Sequence, residues 1–260
     1  MAHGDLLDQA PVKVGPATMS DAEWRQRVDL AALYRAVALY GWDDMIFTHI
    51  SARVPGPDHY FLINPYGLWF GEMTASALVK VDPDGNVVQE TEYTINPAGF
   101  TIHSAIHAAR PEANVVIHLH TDAGVAVSAQ RDGLLPLTQY ALAILPRLAY
   151  HDYEGIALDL NERERLVADL GAASLMLLRN HGTLAVGQTP AGAWWNIFGL
   201  ERACKQQVLA LSAGREQVLI APQQAQDTVR TQATGLERLG ALAWPGLLRK
   251  LDRDLPGYDT

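Results

Sequence analysis

Cysteine is almost absent from this chain. Cys204 stands alone among 260 residues, so no internal disulfide can staple the fold, and a core-stabilised protein of a reducing cytoplasm is expected. Cations are also in short supply: 20 Lys and Arg face 29 Asp and Glu, for a net charge of -9 with His neutral. A nucleic-acid backbone needs clustered cations, which excludes it as the main partner. No apolar run approaches bilayer length, and the first residues, MAHGDLLDQAPVKVG, lack the basic start and apolar stretch of a secretory signal. A membrane partner is therefore not expected. What is present is a globular composition, 48% hydrophobic, 19% charged and 8% aromatic, long enough to form one large domain over 1–260.

Periodicity organises the chain. Ser20-Asp21 caps a predicted helix in which Leu30, Leu33, Val37 and Leu39 recur at near-helical spacing to Tyr40, with Gly41 as its stop; residues 1–18 read as a loose arm. Short β-like runs follow, MIFTHISARV, YFLIN and ALVKVD, separated by glycine turns, with PDGNVV as a tight hairpin. Asn96 to Arg110 reads as a Gly99-led turn into a helix, ANVVIHLH as a strand and TDAGVAVSAQ as the start of another helix. Residues 133–155 are aromatic-rich and give no periodic signal, as loops over a site would. A helix from Asn161 to Leu170, strands SLMLLRN and TLAVG around His181-Gly182, and a long helix from Pro190 to near Ser212 complete the body. A helical tail is expected over 214–260.

The histidines carry the chemistry. In a strand, alternate side chains share a face, so His118 and His120 of VVIHLH project together and form half a metal site; the alternative is one ring in the core and one at the strand end. His181, in RNHG after the next apolar strand, offers a third imidazole at a strand end, where α/β sheets carry their sites. Three neutral imidazoles leave open positions on a divalent ion, as catalytic centres do, and suit Zn2+, Fe2+, Mn2+ or Co2+. His103 and His107 share a helix face at i, i+4, with His103 read as a neighbour of the site and His107 as a surface residue; a second metal pair is the less favoured alternative. His49 and His151 are candidates for binding substrate.

The strings INPAGFTIHSAIHAARPEANVVIHLHTDAG, LPLTQY, AYHDYEGIAL, LRNHGTLAVG and LERACKQQVLAL resemble the class II aldolase and adducin family from about Leu30 to Ser212. The resemblance implies a three-layer α/β/α sandwich around a mostly antiparallel sheet, a homotetramer with metal sites near its subunit interfaces, and one divalent metal ion on His118, His120 and His181. It also exposes departures. The aldolase glutamate position is Gly99, Thr48-His49 replaces a Gly-Asn of the phosphate pocket, and Pro97-Ala98 replaces its serines, as in the adducin-like branch. Too few donors remain for a phosphate.

Three functions follow from this resemblance. The first is a metal-dependent lyase cleaving a C–C bond, by retro-aldol or decarboxylation chemistry, in a small non-phosphorylated hydroxy-carbonyl or 2-oxo acid substrate. Tyr140, which matches a tyrosine proton donor of the aldolases, and Glu154, on chemical grounds, are its catalytic candidates. Arg53, His49, Gly99, His103, Gln139, His151 and Tyr153 are its substrate-binding candidates, with Arg53 or Arg179 placed to meet a carboxylate and Asn180 to orient a ligand. The second is an Fe(II) non-haem oxygenase using the same triad on an aromatic keto acid, with Tyr140, Tyr150 and Tyr153 lining its pocket. The third is a non-catalytic scaffold like the adducin heads.

Overall fold

The Ser20 hydroxyl accepts a hydrogen bond from the Glu23 amide and opens α1 (Asp21–Leu39), which ends before Gly41 at φ 66°. In this computed structural model the described residues are 19–155 and 161–260, and the expected arm over 1–18 lies outside them. Within α1, the fully buried Tyr34 hydroxyl accepts hydrogen bonds from the amides of Ile50 (2.8 Å) and Asn64 (3.0 Å). That one group ties the start of the first strand to the residue that follows the second.

The strands are β1 (His49–Arg53), β2 (Phe61–Ile63), β3 (Val79–Val81), β4 (Val115–Leu119), β5 (Leu148–His151), β6 (Leu175–Leu178) and β7 (Gly182–Gly187). They form one sheet in the order β3-β2-β1-β4-β7-β6-β5, antiparallel at every pairing except the parallel β5-β6 edge. The remaining helices are α2 (Pro97–Ala109), α3 (Asp122–Ser128), α4 (Gln139–Ile144), α5 (Glu162–Leu170), α6 (Pro190–Leu211), α7 (Gln223–Gln232) and α8 (Leu239–Asp254). Gly99 therefore lies inside the first turn of α2, not in a turn before it.

Strand alternation builds the two cores. Ile50, Val115, Ile117, Leu119, Leu177 and Ala185 face α1, α3, α6 and α8, whereas Val116, Met176, Leu178, Leu184 and Val186 meet Ile102 and Ile106 of α2 and Leu166 and Leu170 of α5. The α/β/α layering expected from the resemblance is the one observed. Residues 133–155 are more ordered than a loop: Thr138 caps α4, Pro146 sits in a single 3-10 turn, and β5 forms the sheet edge. No helix among the described residues is long and apolar enough to cross a membrane.

α8 packs on α1 and α6 through the buried Trp244, Leu247 and Leu251. Leu251→Ala is expected to lower unfolding free energy by about 2–5 kcal/mol, as buried leucine truncations do. Denaturant unfolding measures this, and an unchanged midpoint would show that the tail does not fold with the body.

Candidate metal centre

β4 lies between β1 and β7, with His118 opposite His49 on one side and Leu184 on the other. His120 follows the end of β4 by one residue, and His181 immediately precedes β7. Two local features bring His181 in. Asn180 takes φ 57°, a left-handed turn that Asn tolerates, and Gly182 packs so closely that an added Cβ would lie 2.3 Å from the Leu119 carbonyl oxygen. The three ring centroids stand 4.7, 4.7 and 4.8 Å apart, and one nitrogen from each ring lies within 4.8 Å of the others.

Hydrogen bonds set the polarity of the rings. His118 Nδ1 donates to the Thr183 carbonyl oxygen at 3.0 Å, and His120 Nδ1 faces the Asp44 carboxylate at 3.1 Å. In the neutral rings both Nε2 atoms then carry lone pairs, yet they lie 3.0 Å apart. A shared proton would satisfy that pair, whereas a cation satisfies it and His181 together. Tetrahedral Zn–N bonds of about 2.0–2.1 Å put nitrogens about 3.3 Å apart, so the donor set fits a divalent ion. Burial, then the neighbouring His181 and His120, holds His118 well below its ordinary range, and burial brings His181 down to about 4, so both rings are neutral and competent as ligands near pH 7.

A buried carboxylate backs the centre. Glu201 of α6 accepts hydrogen bonds from the Thr121 hydroxyl and, at 2.5 Å, from the Thr183 hydroxyl, tying the segment after His120 to the segment after His181. Thr121 also caps α3 by accepting from the Gly124 amide at 3.0 Å. Burial pushes the Glu201 carboxyl up to about 7. Neither Glu201 nor Asp44 is singled out by sequence reasoning, since a carboxylate in a helix or a turn carries no sign of the tertiary partner it will meet.

The other candidates divide. His49 and Gly99 lie together beside the triad: a Cβ on Gly99 would meet the His49 ring at 2.5 Å. His103 and His107, both buried, share the Ser51 hydroxyl, at 2.6 and 2.7 Å. His107 is thus no surface residue. His151, Tyr153 and Glu154 line a small cleft with His181, the Tyr153 ring standing 6.4 Å from that imidazole, and His151 Nδ1 meets Asp169 at 2.7 Å. The Arg165 guanidinium grips the Glu154 carboxylate and holds it below the usual range. Gln139 and Tyr140 line a different cavity, of about 660 Å³, with Phe198 and Trp195. Arg53 lies at the far end of β1, donating to the His107 carbonyl at 2.5 Å, and Arg179 stacks on the Tyr150 ring, 4.4 Å from its centroid. Neither arginine side chain is turned to the triad.

Residues 28–208 match the family model of the class II aldolase and adducin N-terminal domain. The chain belongs to that family. It is 69% identical over 259 residues to a Caulobacter vibrioides protein named for the aldolase class 2 family, covering 99% of each chain. It is also 41% identical over 249 residues to alpha-adducin of Rattus norvegicus, spanning 90% of this chain and 34% of that one. Among solved structures, an aldolase II superfamily protein from Pseudomonas syringae superimposes with TM-score 0.91 at 51% identity, covering 94% of this chain and 98% of that one. L-fuculose 1-phosphate aldolase from Glaciozyma antarctica gives 0.78 at 29% identity, covering 92% and 94%. The class II aldolase family thus joins enzymes to adducins, and this member keeps the three histidines together.

Because burial favours the protonated carboxyl in the fold, Glu201 contributes its full stability below its ordinary 4.5, and that contribution fades as pH rises through about 7. Glu201→Gln is expected to flatten the pH dependence of unfolding free energy over this window in metal-stripped protein. Denaturation at stepped pH checks it, and an unaltered slope contradicts it.

Proposed function

We propose that this family member is a divalent-metal-dependent lyase that cleaves a C–C bond, by retro-aldol or decarboxylation chemistry, in a non-phosphorylated hydroxy-carbonyl or 2-oxo acid. The observation that supports it best is the convergence of three imidazoles, two with Nε2 atoms 3.0 Å apart, at one end of the sheet. A scaffold has no use for such a set. His118, His120 and His181 would hold Zn2+ or Fe2+, with Mn2+ or Co2+ also suited to imidazole donors. Bound there, the ion supplies Lewis-acid stabilisation of charge that develops on a substrate oxygen.

The chain's own groups divide the remaining work. Gly99 has no side chain to move a proton, and Glu154 is engaged by Arg165. Proton transfer falls to Tyr140, 38% exposed on α4 in a cavity that no triad residue lines. In the homotetramer implied by the resemblance, with its metal sites near interfaces, Tyr140 comes from a neighbouring copy. Tyr153, exposed beside His181, gives the substrate an aromatic wall. His151, in the same cleft, lends the substrate side a polar edge. A cytoplasmic location suits this chemistry.

A second reading, an Fe(II) oxygenase on an aromatic keto acid, draws on the same Tyr153 ring and on the lack of a carboxylate in the triad. Oxygen uptake separates the two. Metal-loaded protein incubated anaerobically with hydroxy-carbonyl and 2-oxo acid compounds is expected to release C–C cleavage products, and His120→Ala to lower that rate on the order of 100-fold or more with metal content lost and the circular dichroism spectrum kept. Stoichiometric metal in His120→Ala would contradict the ligand set, and substrate-dependent oxygen consumption would replace the lyase with the oxygenase.

A further inference from the structure

Beside the triad lies a group of buried polar atoms without hydrogen-bond partners: Thr48 Oγ1, both ring nitrogens of His49, and His103 Nε2. Buried polar atoms are paired in nearly all folds, and unpaired ones gather where a ligand completes them. Thr48 adds a second sign. It is fully buried at φ 65°, a left-handed conformation that a β-branched residue rarely adopts and that functional sites tolerate. The His49 and His103 rings stand edge to face with centroids 5.9 Å apart, and His49 lies across the ladder from His118. The first turn of α2 covers the group, with Gly99 against the His49 ring.

The direction of every hydrogen bond behind this group follows from one carbonyl. The Ala113 carbonyl oxygen can only accept, so His107 Nδ1, 2.9 Å away, donates to it. His107 is fully enclosed and neutral, so its Nε2 accepts from the Ser51 hydroxyl at 2.7 Å. With its single proton used, Ser51 Oγ accepts from His103 Nδ1 at 2.6 Å. His103 is buried among imidazoles and neutral as well, which leaves its Nε2 a bare lone pair with no donor. Should His49 turn an N–H toward it, the other nitrogen of His49 becomes the bare lone pair, so the polarity passes along unchanged.

We propose that Thr48, His49 and His103 form a ligand subsite whose fixed point, the His103 Nε2 lone pair, demands a hydrogen-bond donor, so that the subsite takes a substrate hydroxyl in preference to a phosphate dianion. The inference rests on reading the adjacent triad as the centre that binds the same substrate. It names the substrate class more closely: the compound carries a free hydroxyl at the end that faces α2, and a ligand reaches the subsite by displacing the Gly99 turn. A phosphate would set oxygen lone pairs against an imidazole lone pair.

The test is long-range 1H–15N NMR of the full chain with 15N-labelled histidine, loaded with Zn2+. His103 and His107 are both expected as neutral Nδ1–H tautomers. Glycerate or dihydroxyacetone is expected to shift His103 Nε2, inorganic phosphate is not, and Ser51→Ala is expected to lose the fixed His103 tautomer and the shift while the His118 signals persist. A protonated or Nε2–H His103, no shift with either hydroxy compound, or a comparable shift with phosphate overturns the subsite. Zinc-induced shifts of His118 and His181 test the triad in the same sample: their absence sinks the metal reading on its own, and their presence with an unmoved His103 sinks the subsite alone.

Discussion

The bond from His118 Nδ1 to the Thr183 carbonyl oxygen is the constraint on which the rest depends. A carbonyl accepts and never donates, so the ring must direct its Nε2 lone pair outward, toward His120 and His181. Thr183 can supply that oxygen because β7 runs antiparallel to β4, pairing Leu119 with Thr183. The same threonine reaches Glu201 through its hydroxyl, on the opposite face of the sheet. One residue thus links ligand polarity, strand pairing and the helix behind the sheet, and the glycine at 182 follows from how near the two strands must approach.

The departures from the aldolase pattern form one steric event. A glutamate at position 99 and an imidazole at 49 would compete for the same space, since even a Cβ there meets the His49 ring. The missing glutamate and the added histidine that the resemblance implies at these two positions therefore belong together. Burial makes this a region of neutral rings, holding His49 down at about 3 and His107 likewise at about 3. A fold shared with relatives named for adducin does not by itself assign a reaction, so the triad, and not the fold, carries the catalytic argument.

Much of the scaffold was legible because it obeys a period. The apolar spacing of α1, the continuous apolar run of β4 and the Pro190 start of α6 are local signals, and the His-x-His and Asn-His-Gly placements follow from alternation and a tight turn. Residues 133–155 hid their order since a six-residue helix, one 3-10 turn and a four-residue edge strand are each shorter than any reliable period. Asp44, Glu201 and the Ser51 link were invisible for a different reason. Their roles arise from pairings across the sheet, between positions as far apart as 76 and 80 residues for Asp44 with His120 and Glu201 with Thr121. The partners of Arg53 and Glu154 were equally invisible: the His107 carbonyl takes one N–H of Arg53, and Arg165 grips the Glu154 carboxylate.

The measurement that tests the central claim most directly is X-ray absorption at the edge of the metal found in the purified full-length protein. The account predicts a first shell with three imidazole nitrogens, plus light-atom ligands from solvent, and the loss of that shell in His181→Ala. A shell built of carboxylate oxygens without imidazole, or one unchanged in that variant, would contradict it.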